Sequence, residues 1–152
     1  MLNVGDMAPD FTVLNQSCKE VSLSQFKGKK VVLYFYPKDD TPGCTTEAIG
    51  FTNLSSQFAA NNAVVLGVSK DSVDSHAQFC QKYDLTVDLL SDNDMVVINP
   101  YGIWQEKTNY GKSYMGIARS TYLIDENGRI QHVWKNVKTA DHAEAVLKVV
   151  SV

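Results

Sequence analysis

The sequence predicts a single α/β domain built on a mixed central sheet, with helices on both faces and an N-terminal β-hairpin extension. Two runs, KKVVLYFYP (29–37) and NAVVLGVSK (62–70), are β-branched and aromatic, the composition of strands buried on both faces. Each is followed by a segment carrying helix-start residues. RSTYLIDENGRIQHVWK (119–135) joins two β-rich runs through a turn containing Asn127-Gly128, the pattern of an antiparallel hairpin. A chain of 152 residues can bury one core without staples. No repeat, linker or low-complexity tract divides residues 1–152, so one domain is expected.

In chain order, DFTVLN and KEVSL alternate around QSC and read as a short hairpin. The first buried strand follows and ends at Pro37. TPGCTTEAIGFTNLSSQFAA (41–60) reads as one helix, with Thr41 at the N-cap and Pro42 at the first helical position. After the second buried strand, DSVDSHAQFCQKYDL (71–85) is an amphipathic helix capped by Asp71 or Ser72. DLLSD (88–92) is a short extended piece, and DNDMVVINPYGI (92–103) a weak helix stopped by Pro100. The hairpin over 119–135 comes next, and TADHAEAVLKVV (139–150) closes the chain as a helix, with Thr139 or Asp141 near its start. A βαβ unit followed by a hairpin and a helix is the thioredoxin-like arrangement.

Composition narrows the function classes. The net charge of −3 offers no basic excess to neutralise phosphates, which argues against nucleic-acid binding. No apolar run is long enough to cross a bilayer, and AVVLGV (63–68) has strand length. MLNVGDMAPDF lacks a basic region followed by an apolar stretch, so no signal peptide is expected. Three cysteines, an odd count, fit a reducing compartment, and cytoplasm is the expected location.

YPKDDTPGCTTEA (36–48) concentrates the chemistry. With Thr41 as N-cap, Cys44 is the third helical residue, where unpaired backbone N–H groups and the helix dipole favour a thiolate. The thiolate is the nucleophilic form of cysteine. The Thr41 hydroxyl has one proton to donate and two lone pairs, so it can accept from a backbone N–H and donate to sulfur or substrate oxygen. Pro37 and Pro42 stiffen the loop, Pro37 also shielding one side from water, and Gly43 lets a ligand approach the backbone. The alternative is a well-made helix start with an incidental cysteine.

FYPKDDTPGCTTEA resembles the active-site segment of peroxiredoxins, Pro37, Thr41 and Cys44 matching Pro-x-x-x-Thr-x-x-Cys. The likeness is strongest to the peroxiredoxin Q, or bacterioferritin comigratory protein, group. It extends in order through GDMAPDF, VSLSQFKGKKVVLYFYP, GVSKDSVDSHAQF, LLSD, YGIWQEK, YGKSYMGIARSTYLID and HAEAVLK. The resemblance implies that Cys44 is the peroxidatic cysteine, attacking a hydroperoxide to become a sulfenic acid, with Thr41 and the Cys44 N–H holding the peroxide. It gives Arg119 the support of thiolate and developing charge, a role suited to a permanently charged, planar donor. By itself Arg119 reads as a surface cation at a strand start. Glu47 also matches, as an ion-pair partner on the helix face or as a participant in the chemistry.

Many members of this group carry a second cysteine five residues after the first, where this chain has Ile49. A subset resolves the sulfenic acid with a cysteine on the next helix, which implies Cys80. Val73, Ala77 and Cys80 also form a helical stripe, on which Cys80 is a small apolar filler. Without resolution by Cys80 the protein is a one-cysteine enzyme served by an external thiol. A disulfide needs Cα atoms within about 7 Å, so both helices are expected to unwind in part when Cys44 is oxidised. Cys18 reads as an exposed thiol in a turn.

A thioredoxin-type reductase needs C-x-x-C, and this chain has CTTE. A catalytically silent binding or chaperone module on the same scaffold is the remaining rival. His76, His132 and His142 lack metal-ligand spacing, which favours solvated or capping roles. YGKS (110–113) lacks the earlier glycine of a phosphate loop. Phe35, Tyr36, Trp104 and Tyr114 read as mostly core, Trp104 alternatively lining the approach to the site. The family implies no metal or organic cofactor, a thioredoxin-like or glutaredoxin-like reductant, and a monomer.

Overall fold

The computed structural model describes all of residues 1–152. Its main sheet has seven strands. β1 (Thr12–Leu14) and β2 (Glu20–Ser22) form the N-terminal hairpin. β3 (Lys30–Phe35), β4 (Ala63–Ser69) and β5 (Asp88–Ser91) are parallel, and β8 (Ser120–Ile124) and β9 (Ile130–Trp134) are antiparallel. Two further strands, β6 (Trp104–Asn109) and β7 (Lys112–Ile117), pair only with each other. The seven-stranded order is β2-β1-β5-β4-β3-β8-β9, so β3 lies near the centre, flanked by β4 and β8. Its residues 31–35 are at most 2% exposed, as the unbroken apolar run requires.

Alternate residues of β3 serve two separate cores. Val32 and Tyr34 face a core built with Phe51, Phe58, Phe79 and Val146. Those four side chains come from α1 (Pro42–Asn53), α2 (Ser55–Ala60), α3 (Val73–Tyr83) and α4 (His142–Val150), so all four α-helices cover one face. Val31, Leu33 and Phe35 face the other core, closed by the 3-10 turn Leu23–Phe26 and the irregular segment 93–103. Helical structure therefore lies on both faces, but unequally.

Several local expectations change. The helix expected over 41–60 breaks at Leu54, whose φ of −102° and ψ of 9° end α1 and start α2. The break turns Phe58 onto Phe51, their ring centroids 5.8 Å apart. No helix forms over 92–103. The Asp92 carboxylate instead accepts from the N–H groups of Val96, Val97 and Ile98 at 2.8, 2.9 and 2.7 Å, and Met95 takes a positive φ of 61° that an α-helix cannot accommodate. The β6–β7 hairpin is an addition to the sequence reading. Its strands are largely polar and exposed, and its turn, Tyr110-Gly111, has φ of 52° and 77°, the left-handed pair of a tight hairpin. Tyr114, expected in the core, is 49% exposed on β7. α3 is capped by Ser72, whose hydroxyl accepts from the Ser75 N–H at 3.1 Å. No helix is long and apolar enough to cross a membrane.

Gly67 on β4 lets the helix-side core close. A Cβ there would lie 2.7 Å from Tyr34 Cζ and 2.9 Å from Leu89 Cδ2. Gly67→Ala is expected to overpack this face and cost about 1–3 kcal/mol, read as a lower urea midpoint at unchanged m-value.

Candidate active site

Pro42, Gly43 and Cys44 are the first three residues of α1. The Thr45 N–H makes an early helical hydrogen bond, to the Thr41 carbonyl at 2.9 Å, while the N–H groups of Gly43 and Cys44 precede any intrahelical acceptor. Cys44 is 1% exposed, its sulfur set beneath the helix start rather than out in solvent. Pro37, just beyond β3, is exposed.

Thr41 stands at the N-cap position with extended backbone angles but does not cap with its side chain. Its hydroxyl donates to the Lys38 carbonyl at 2.9 Å. The turn through Asp39 and Asp40, the latter at a φ of 58°, folds that carbonyl back within reach. This corrects the expectation of an N-cap bond. The hydroxyl proton is engaged, whereas its lone pairs have no backbone N–H to serve.

Arg119 lies between β7 and β8, its carbonyl held by the Val137 N–H at 3.0 Å. Its Nη2 donates to Cys44 Sγ at 3.2 Å and its Nη1 to Glu47 Oε1 at 2.9 Å. Cys44 and Glu47 are three apart on α1 and so share a helix face, which lets one planar guanidinium span both. A Cβ on Gly43 would sit 3.4 Å from Nη2, so the helix start and the cation are in contact. Burial works against the charge of Arg119, but Glu47 and Cys44 outweigh it and raise its pKa.

The Glu47 side chain is fully buried, and its Oε2 has no protein partner. Burial pushes its carboxyl up from 4.5 to about 7, with Arg119 pulling the other way. Near neutrality Glu47 is thus partly protonated, and the charge of Arg119 is only partly offset before it meets Cys44.

Two neighbours were not foreseen. Lys107 of β6 donates to the Ile117 carbonyl at 2.6 Å; burial and then Arg119 lower its pKa, while Cys44 opposes them. A cation thus approaches the thiol from the isolated hairpin. Tyr34, fully buried with no partner for its hydroxyl, has its pKa raised by burial and then by Glu47, Cys44 and Cys80. Sequence offered only that Lys107 ends YGIWQEK and that Tyr34 lies in a buried strand.

Cys80 sits half-buried on α3, and all three cysteines are free thiols. Burial, then the charges of Asp39 and Asp88, push its thiol up to about 11. Cys18 is exposed, as expected. Two of the three histidines depart from their expected roles. His76 is wholly buried, and its ring lies within 2.7 Å of Asp39 Oδ2. His142 is 5% exposed, lies 2.8 Å from the Thr121 hydroxyl, and is driven down to about 4 by burial and then Arg119. The fold also gathers Asp39, Asp71 and His76, with ligating atoms within 4.8 Å, a cluster invisible in sequence spacing. Protein hydrogen bonds occupy all three. Trp104 packs against the core of Val31, Leu33 and Phe35, with Lys70 Nζ 5.0 Å above its ring.

The raised carboxyl of Glu47 makes a prediction with a definite sign. Its stabilising contribution is complete below the unfolded value near 4.5 and is lost as pH rises through about 7. Relative to Glu47→Gln, the parent protein should therefore lose on the order of 2–3 kcal/mol of stability between pH 4.5 and 8. Paired urea titrations across that range measure the difference.

Residues 4–133 match the AhpC/TSA family. The chain is 51% identical over 146 residues to "Putative peroxiredoxin bcp" of Coxiella burnetii, covering 96% of this chain and 97% of that one. A crystal structure of a Xylella fastidiosa PrxQ mutant superposes with a TM-score of 0.94 at 41% identity, covering 99% of this chain and 96% of that one. A Xanthomonas campestris bacterioferritin comigratory protein, described for its alkyl peroxide reduction activity, gives 0.88 at 39% identity, over 92% and 89%. The buried cysteine at a helix start, bridged by arginine, is thus set in a scaffold shared along nearly its whole length with thiol-dependent peroxidases, and the chain belongs to the AhpC/TSA family as a peroxiredoxin of the Bcp/PrxQ group.

Proposed function

We propose that the protein reduces hydrogen peroxide and small organic hydroperoxides at Cys44, with Cys80 as the resolving cysteine. The observation that carries the reading is the Arg119 bridge, 3.2 Å from the Cys44 sulfur and 2.9 Å from Glu47. The Cys44 thiolate attacks the terminal oxygen of ROOH. An S–O bond forms as the O–O bond breaks, giving a sulfenic acid and RO⁻, which takes a proton and leaves as ROH. Arg119 and the N–H groups at the start of α1 favour the thiolate and then the charge moving onto the leaving oxygen. Thr41 positions the peroxide; with its proton given to Lys38, it receives a hydrogen bond from the peroxide hydroxyl. Pro37 fixes the turn into this loop.

Cys80 then attacks the Cys44 sulfur as a thiolate, forming the S–S bond and releasing hydroxide, which is protonated to water. Its raised pKa means that this follows movement of α3 toward water. A thioredoxin-like or glutaredoxin-like dithiol returns two electrons and two protons. The alkyl peroxide activity named for the Xanthomonas campestris neighbour supports the organic substrates. A cytoplasmic monomer fits the odd cysteine count and the family resemblance.

Cys44→Ser should abolish turnover. Arg119→Met should lower kcat/KM for peroxide by about 10²–10³-fold, and Thr41→Val by about tenfold. Intact mass and peptide mapping after one equivalent of peroxide should show a Cys44–Cys80 disulfide. A persistent sulfenic acid, with Cys80→Ser turning over at the parent rate, would show resolution by an external thiol instead.

A further inference from the structure

The loop that delivers Cys44 is fastened to the helix that carries Cys80. Asp39 and Asp40 lie between β3 and α1, and each is held by α3. Asp39 is 7% exposed, and both of its carboxylate oxygens are engaged. Oδ1 accepts from the Tyr36 hydroxyl at 2.6 Å, while Oδ2 accepts from the Ser75 hydroxyl at 2.8 Å and lies 2.7 Å from His76 Nδ1. His76 Nε2 lies 3.0 Å from the Leu90 carbonyl, which can only accept, so Nε2 carries a proton and Nδ1 faces the carboxylate. At the far end of α3, Asp40 accepts from Lys82 Nζ at 2.7 Å and the Tyr83 hydroxyl at 2.6 Å, both in solvent.

Cys80 stands between these two attachments, one helical turn beyond His76. A movement of α3 as a whole away from the Cys44 loop must break both attachments. The two are unequal. Exposed ion pairs contribute little, whereas unpairing a buried, hydrogen-bonded charge is costly. The inner set therefore governs.

We propose that Asp39 and His76 are positioning residues forming a latch: closed, it holds the Cys44 loop in its peroxide-reactive arrangement, and its opening sets the rate at which Cys80 is released to form the disulfide. This rests on Cys80 being the resolving cysteine. Neither residue touches the reacting atoms. The latch acts through the opening equilibrium of α3, and also through charge, because Asp39 is among the groups that hold Cys80 in its thiol form.

The latch separates two rates that a purely structural role would move together. In stopped-flow single turnovers, Asp39→Asn and His76→Gln should speed the step from sulfenic acid to disulfide by about tenfold or more, the scale of one charge-assisted hydrogen bond. The second-order rate constant for peroxide should stay level or fall. Ser75→Ala, which removes one neutral donor and leaves the pair in place, should speed the disulfide step by about fivefold and serves if the first two variants fold poorly. Lys82→Met should change it by less than about threefold. Native-state hydrogen exchange should show faster exchange in α3 in each inner variant. If the unmodified protein forms no Cys44–Cys80 disulfide, the resolving role fails and the latch's role in it is overturned with it. If that disulfide forms but the inner variants slow both steps or alter neither, the latch is overturned while the resolving role stands.

Discussion

One partly buried guanidinium organises the surroundings of Cys44. Arg119 sits where burial disfavours a charge, and it stays charged because Glu47 and Cys44 both turn toward it. The same cation makes two demands on the fold: the segment after β7 must return to the first turn of α1, and α1 must present residues three apart on one face. The central place of β3, beside both β4 and β8, meets the first demand. The dense aromatic packing of Tyr34 on Phe51, with centroids 4.7 Å apart, keeps α1 seated for the second.

Glu47 shows how a carboxylate can stand beside the Cys44 thiol and share its arginine. A fully ionised Glu47 would compete for Arg119 and repel a thiolate. Burial resists that ionisation and leaves the pair balanced near neutral pH. Burial acts on Cys80 in the same sense and, with nearby carboxylates, holds it as a thiol in the reduced fold. The two sulfurs therefore sit in different surroundings, Cys44 beside a guanidinium at a helix start and Cys80 half-buried near carboxylates.

Much of the fold was legible because its signals are local. The runs over 29–37 and 62–70 are so apolar and β-branched that only buried strands suit them, and both formed. Asn127-Gly128 marked its hairpin. Where sequence reading failed, side chains had been recruited by distant or unusual backbone. Asp92 drew three backbone N–H groups and replaced a helix with turns. The β6–β7 strands are polar on an exposed ribbon, so no alternation announced them. His76 looked like an ordinary surface residue of an amphipathic helix until α3 met the Cys44 loop.

The sequence by itself determined the setting of Cys44: Thr41-Pro42-Gly43-Cys44 starts a helix, and helix starts favour anions for reasons contained in the backbone. It also determined, through the ordered likeness along the chain, the family to which these residues belong. The resemblance implied Arg119 at the sulfur, but only the tertiary structure decided how it reaches both Cys44 and Glu47 and which further groups meet across the fold. Arg119 is 75 residues from Cys44 along the chain, and Asp39 is 37 from His76. Ion pairs of that span depend on how strands order in a sheet and on which face each helix covers, and no local pattern of residues encodes either.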